Sequence, residues 1–231
     1  MLRGISLSAE AMNNHISKND VIANNMANVN TTGFKRDILI YQRGEENGIQ
    51  VTNPRVTVNF DQGPLNRTGR PLDLAIHGDG FFEVETGEGT RYTRNGAFVR
   101  DSDGYLTTQE GNPVSGGIQL PPGQMEIAED GTISVDGAIY GQIRIVEFED
   151  SSGLEKDGSS LFRATNGVKP REVPAGEVAV LSGYIEKSNV DVIGEMTDMI
   201  SALRAYEISE KALKSQDEIL EMMVGRIGKT G

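Results

Sequence analysis

The residues best suited to chemistry in this chain gather around one short turn. His77 follows Leu74-Ala75-Ile76 and stands between Asp73 and Asp79 in sequence. A histidine beside carboxylates suits acid–base work, because imidazole exchanges a proton near neutral pH and a carboxylate can orient it. The set is incomplete here. The other histidine, His15, is remote in sequence. No cysteine exists to serve as nucleophile, thiolate ligand or disulfide partner. No serine lies in a Gly-x-Ser-x-Gly setting. A hydrolase of cell-wall polymer built on Asp73, His77 and Asp79 is one reading; a turn histidine is the plainer one.

Other motifs fail on context. Asp101-x-Asp103-Gly104 resembles the start of a calcium loop, but the third oxygen ligand and the closing Glu are missing and strands flank it. Gly228-Lys229-Thr230 looks like the tail of a phosphate loop, yet Met223 stands where the first Gly belongs. Gly78-x-Gly80 joins strand to strand, so it is no dinucleotide fingerprint. The residues therefore call for no cofactor, no metal and no small-molecule substrate.

Composition narrows the classes further. The 231 residues carry a net charge of −12, from 34 acidic and 22 basic side chains. Phosphate binding runs on clustered Lys and Arg, so nucleic acid is a poor partner. An anionic membrane surface is equally poor. No stretch approaches the roughly 18 apolar residues of a membrane span. The N-terminal MLRGISLSAEAMNNHISKND has no apolar core of a cleavable signal peptide. Taken alone, this predicts a cytoplasmic protein, unless export uses a route that reads no such signal.

The elements that would carry these residues fall into a clear order. Two long helices are expected at the ends, with short strands and turns between them. Val192, Met196, Met199, Leu203, Tyr206, Leu213, Leu220, Val224 and Ile227 lie on alternating four- and three-residue steps, broken only by Glu210 and Asp217. That is the spacing of a coiled-coil seam. Ile5, Ala9, Met12, Ile16, Ala23 and Met26 repeat it more weakly, with Asn19 as the exception. Ser188 with Asp191 suggests a capping box at the second helix. Asn28, Asn30, Thr31, Thr32 and Gly33 end the first helix, because such residues compete for backbone hydrogen bonds or tolerate positive φ.

Between the helices, residues 31–70 read as an extended connector punctuated by Gly and Pro, in which only Ile49–Val51 and Arg55–Phe60 suggest strands. Residues 71–188 read as a small antiparallel β domain, with alternation at Leu72–Ile76 and turns at Gly78-Asp79-Gly80, Asn95-Gly96 and Asp130-Gly131. The fold class expected is α+β. Residues 1–30 and 189–231 form a coiled-coil-like helical assembly domain, the connector follows, and the β domain sits in the middle. A stripe at each end needs a covering surface, so such a chain is more suited to assembly than to catalysis. A soluble binding module, with both helices paired inside one chain, is the third reading.

Several blocks together resemble one family. Ala23-Asn24-Asn25-Met26-Ala27-Asn28-Val29-Asn30-Thr31-Thr32-Gly33-Phe34-Lys35-Arg36 is similar to the N-terminal signature of bacterial flagellar rod and hook proteins. Leu74–Phe82, with Gly78, Gly80, Phe81 and Phe82, resembles the family's strand–turn–strand motif, and Tyr92–Phe98 with Asp103–Leu106 is also similar to it. Ser188-Asn189-Val190, Glu195–Ile200 and Arg204-Ala205-Tyr206-Glu207 resemble the C-terminal signature. The blocks keep the family's order from end to end.

The resemblance implies a structural, non-enzymatic subunit of the flagellar basal-body rod. Its terminal helices would pack into a helical tube around the export channel and transmit torque. Its partners would be other copies of itself, neighbouring rod proteins and the flagellar export apparatus. It would reside in the periplasm-spanning rod, exported without a cleavable signal, which replaces the cytoplasmic expectation. The short stretch after Lys35 and the wording Met196-Thr197-Asp198-Met199-Ile200 look more like a proximal than a distal rod member. The assembly interface expected is Ile5, Met12, Ile16 and Met26 with Val192, Met196, Met199, Leu203, Tyr206, Leu213 and Leu220. The family-motif residues are Asn24, Asn25, Asn28, Gly33, Phe34, Gly78, Gly80, Phe81, Phe82, Ser188, Asn189, Arg204, Tyr206 and Glu207.

Overall fold

A computed structural model describes residues 2–46, 49–158, 160–165, 167–174 and 178–227. The chain divides into two compact units, each discontinuous in sequence. One comprises residues 1–27, 37–57 and 191–231; the other comprises residues 28–36 and 58–190.

The first unit holds two helices, α1 (Leu2–Ala27) and α2 (Val192–Ile227), which pack on each other. It also holds a two-stranded sheet of Asp37–Glu46 and Ile49–Val58. Within the stretch expected as a connector, the sequence suggests strands at 49–51 and 55–60 but not at Asp37–Glu46; Ile38, Ile40, Val56 and Val58 are β-branched and sustain both strands, despite Gly44 and Pro54. The start of α2 also differs. Asp191 is the cap, because its Oδ1 accepts from Ile193 N at 3.2 Å and its carbonyl accepts from Glu195 N at 2.9 Å. Ser188 Oγ instead accepts from Val190 N.

The coiled-coil-like pairing is overturned as well. Ile16, Val192, Met196 and Leu203 are exposed, whereas Ile22, Asn25, Glu195 and Ala202 are buried. The reason is geometric. A seven-residue repeat drifts about 20° per heptad around a straight helix unless the pair supercoils. Along the series, Val192 is exposed while Met199, Tyr206 and Leu213 are half-buried. The side of α2 that meets α1 instead mixes polar, small and large residues: Glu195 bonds Asn25, Asp198 bonds Lys18, Ala202 is buried, and Met199, Ala205, Tyr206, Ser209, Ala212 and Leu213 are half-buried. On α1, a Cβ at Gly4 would come within 2.9 Å of Gln216 Oε1, so the helices lie close there.

Among its described residues, the second unit is all β in its regular elements apart from one 3-10 turn. Its largest sheet has six strands, in the order Leu154–Lys156, Leu161–Ala164, Gly89–Thr93, Phe81–Thr86, Ile145–Glu147, Arg171–Glu172. A three-stranded sheet runs Ala138–Gln142, Thr132–Val135, Met125–Ile127, and two-stranded pairs complete the unit. Successive strand side chains point to opposite faces. Phe81 and Phe82 therefore feed two cores. Phe82 joins Leu74, Ile76, Phe98 and Leu106; Phe81 joins Tyr92, Phe148, Leu154 and Phe162. Phe60 packs edge-on against Phe162 with ring centres 5.2 Å apart, a favourable aromatic geometry.

The Asn95-Gly96 pair does not close a hairpin. Gly89–Thr93 pairs with Phe81–Thr86, while Val99–Arg100 pairs with Leu106–Thr107, so the pair turns the chain from one sheet to another. Asp101 Oδ1 accepts from Asp103 N and Tyr105 N at 3.0 and 2.7 Å, which commits that carboxylate to the turn.

Candidate assembly surfaces and the buried polar links behind them

The acid–base reading fails on geometry first. Asp73 is fully buried and gives both oxygens to Arg70, at 2.8 and 2.6 Å. That fork is a bidentate guanidinium–carboxylate contact, which leaves the carboxylate committed. The Asp73 carbonyl also accepts from Gly183 N and Tyr184 N. His77 is exposed at the end of Leu74–His77, paired with Ala179 across the strands. Asp73 thus anchors the fold.

The N-terminal signature divides between the two units. Within the first, Asn25 is buried and works as a polar clasp. Its Nδ2 donates to Glu195 Oε1 at 3.0 Å and to the Asp37 carbonyl at 2.9 Å, and its Oδ1 accepts from Asp37 N at 2.8 Å. A side-chain amide offers both donors and an acceptor, so one residue ties α1, α2 and the first strand. Lys18 Nζ reaches Asp198 at 3.2 Å on a more exposed part of the same pair. Asn24 is exposed, and Met26 is half-buried.

Within the second unit, Phe34 and Lys35 are fully buried. Gly33 has φ +68°, and a Cβ there would collide with the Asn95 backbone, so only glycine fits. Its N–H donates to the Glu186 carbonyl at 2.8 Å. Asn28 starts the turn: Thr31 N donates to its carbonyl and Thr31 Oγ1 to its Oδ1, both at 3.1 Å. Lys35 Nζ donates to Glu186 Oε1 and the Asp61 carbonyl, both at 2.7 Å, and to the Phe60 carbonyl at 3.2 Å. Three acceptors saturate the ammonium. Glu186 also accepts from Gly63 N at 2.7 Å and from Arg94 Nη1 at 3.4 Å. Arg94 lies over the Phe81 ring, 5.2 Å from its centre. Burial holds Lys35 below the usual lysine range, with Glu186 opposing the shift, and burial likewise lowers Arg94.

Asn189 closes this region. Its Oδ1 accepts from Arg36 N at 2.7 Å, and its Nδ2 donates to the Asn59 and Asp61 carbonyls at 2.9 Å each. Ser188 is buried. Gly78 and Gly80 both hold positive φ beside the paired Phe81 and Phe82. Sequence reasoning did not single out Lys35, Arg94 or Glu186 as a cluster. Lys35 and Arg94 each stood in a block that resembles the family, but no spacing joins residues so far apart.

The predicted interface residues separate by exposure. Ile5, Met12, Met26, Met199, Tyr206 and Leu213 are half-buried, while Ile16, Val192, Met196 and Leu203 are exposed. Leu220 lies outside the residues whose side chains are described. Arg204 and Glu207 are exposed. Sequence reasoning missed Ile193 and Ile200, which are 78% and 51% exposed. They stand three residues before Met196 and Leu203, and the four share one helical face. That face lies opposite the one that carries Glu195 and Ala202.

Three family models match in chain order. "Flagella basal body rod protein" covers residues 5–35, "Flagellar hook protein FlgE/F/G D1 domain" residues 75–139, and "Flagellar basal body rod FlgEFG protein C-terminal" residues 181–225. The chain is 37% identical to the flagellar basal-body rod protein FlgF of Caulobacter vibrioides, over 91% of both chains. It is 35% identical to the rod protein FlgG of Bacillus subtilis, over 97% of this chain and 98% of that one. A rod protein FlgG of Agrobacterium fabrum is 34% identical over 96% and 98%. The chain therefore belongs to the flagellar basal-body rod protein family and is a structural subunit of the basal body, not an enzyme.

Proposed function

We propose that this subunit builds the rod through α2, whose outward face meets copies of the same chain and neighbouring rod proteins in a helical tube around the export channel. One observation carries the reading. Ile193, Met196, Ile200 and Leu203 form an exposed apolar stripe on the face of α2 opposite α1. Covering a large aliphatic side chain contributes roughly 1.5–3 kcal/mol. A stripe of four is a strong incentive to associate, even after the entropic cost of docking. A contact between unlike surfaces that does not close on itself propagates as a helical filament.

Torque transmission, passage through the export apparatus without a cleavable signal, and residence in the periplasm-spanning part of the rod extend this reading from the family. A proximal position is favoured by the Met196–Ile200 wording. The test is substitution on the stripe. Ile200→Asp is expected to leave the isolated subunit's unfolding midpoint unchanged, while basal bodies purified from the variant lack the subunit and the cells do not swim. Wild-type incorporation of Ile200→Asp would overturn the reading.

A further inference from the structure

From Asp101 to Gln142 the sequence has seven acidic residues and no Lys or Arg. Six of them, Asp103, Glu110, Glu126, Glu129, Asp130 and Asp136, are exposed. None of the seven is in an ion pair among the described residues. Elsewhere the same unit pairs its charges across strands, as in Arg163–Glu155 at 3.0 Å and Arg171–Glu147 at 2.8 Å. The unpaired carboxylates surround the three-stranded sheet and the loops beside it.

The edge strand of that sheet, Ala138–Gln142, is unusual in what it exposes. Thr132–Val135 faces it with Ser134 opposite Ile139 and Ile133 opposite Gly141, so Tyr140 is an extra residue in a bulge. A bulge breaks the alternation of side chains and re-aims them. Here it leaves two consecutive large side chains outside, with Ile139 74% and Tyr140 45% exposed. The bulge also interrupts the ladder that an added strand would need, so the strand offers side chains rather than a backbone edge. Ile139, Ser134 and Glu126 are aligned across the three strands and share one face. Tyr140 lines a depression with Pro121, Pro122, Arg100 and Asp103.

We propose that this bulged edge strand is a docking surface for a second protein with a basic face, which receives Ile139 and Tyr140 as apolar anchors and places Lys or Arg against Glu126 and Asp103. Exposed aromatic and aliphatic anchors within a charged rim are the composition of an interface centre. The uncompensated negative charge selects the sign of the partner and speeds encounter. A second copy of this chain is a poorer fit, because it carries a net charge of −12 and would bring like charge to this edge. The inference is independent of the α2 stripe.

The test places a photo-cross-linking amino acid at position 139 of the full-length chain in flagellated cells. The expected product is a conjugate with a different polypeptide whose cross-linked region is rich in Lys and Arg. Glu126→Lys combined with Asp103→Lys should reduce its yield at least tenfold, with the unfolding midpoint of the purified subunit unchanged. Ile139→Ser with Tyr140→Ser, probed from position 138, should do the same. A conjugate only with other copies of the chain, a conjugate with cell-wall glycan, insensitivity to charge reversal, or no conjugate would each overturn the proposal. Failure of the α2 stripe variants would leave this result unaffected.

Discussion

At the scale of residues, the strongest constraint is a buried set of three charges. Lys35, Arg94 and Glu186 have side chains 0, 2 and 1% exposed. Removing one member of a buried ion pair leaves its partner uncompensated and costs about 3–5 kcal/mol. Glu186→Ala strips a partner from Lys35, Arg94 and Gly63 N together, so urea unfolding should show a loss at the top of that range. Lys35→Met leaves Glu186 with Arg94 and Gly63 N, and its loss should be smaller. The two variants also differ in pH response. Lys35 has a folded pKa below the ordinary lysine value of 10.5 because burial disfavours the ammonium. Between that lowered value and 10.5 the unfolded chain holds more protons than the folded one, so this group's contribution rises with pH. It is complete above 10.5 and lost as pH falls through the folded pKa. The stability difference between wild type and Lys35→Met should therefore shift in favour of wild type as pH rises through that window. A difference independent of pH would place the charge elsewhere.

At the scale of elements, some features were open to sequence reading and others were not. The helices were legible because apolar periodicity and Asn/Thr/Gly stops are local signals. The pairing face was not, because a heptad series read on paper assumes supercoiling, and α2 instead buries Glu195 and Ala202 while Val192, Met196 and Leu203 stay exposed. In the stretch after Arg36, Gly44 and Gly48 obscured the strand Asp37–Glu46, and Pro54 split the second strand into two short signals, at 49–51 and 55–60. Long-range polar partners such as Asn25–Glu195 carry no sequence spacing at all. Three expectations follow for α2. Asp191→Ala removes the cap and should lower the stability of the helical unit by about 1 kcal/mol, seen as faster amide exchange in the first turn. Ala202→Leu overpacks the close contact with α1 and should cost about 1–3 kcal/mol. Ile193→Asp, on the opposite face, should stay within about 0.5 kcal/mol of wild type, as surface changes do. If Ile193→Asp proved the most damaging of the three to the isolated subunit, the assignment of faces would be reversed.

At the scale of the whole molecule, the segments of the β unit that lie far apart in sequence, residues 28–36 and 58–190, are held to one another by hydrogen bonds. Asn189 alone makes three side-chain bonds to Arg36, Asn59 and Asp61, and its N–H donates to the Phe34 carbonyl at 3.4 Å. Each such bond contributes about 0.5–1.5 kcal/mol net, and buried groups left unpaired cost more. The β unit has its own apolar cores, so it should fold without α1 and α2. A fragment of residues 28–190 keeps Asn28, Lys35 and Asn189, and should melt cooperatively with β-type circular dichroism and no helical signal. Shortening it to 28–188 removes only two residues, yet it deletes the Asn189 bonds and should lower the midpoint by several degrees. The isolated helices are in a different position. Helices of this kind take most of their stability from packing, and α2 leaves Ile193, Met196, Ile200 and Leu203 exposed. Their amides should therefore exchange faster than those of the β unit in the dilute full-length chain, and slow on incorporation into basal bodies. Equal protection of α2 before and after incorporation would mean that its outward stripe gains no cover in the rod.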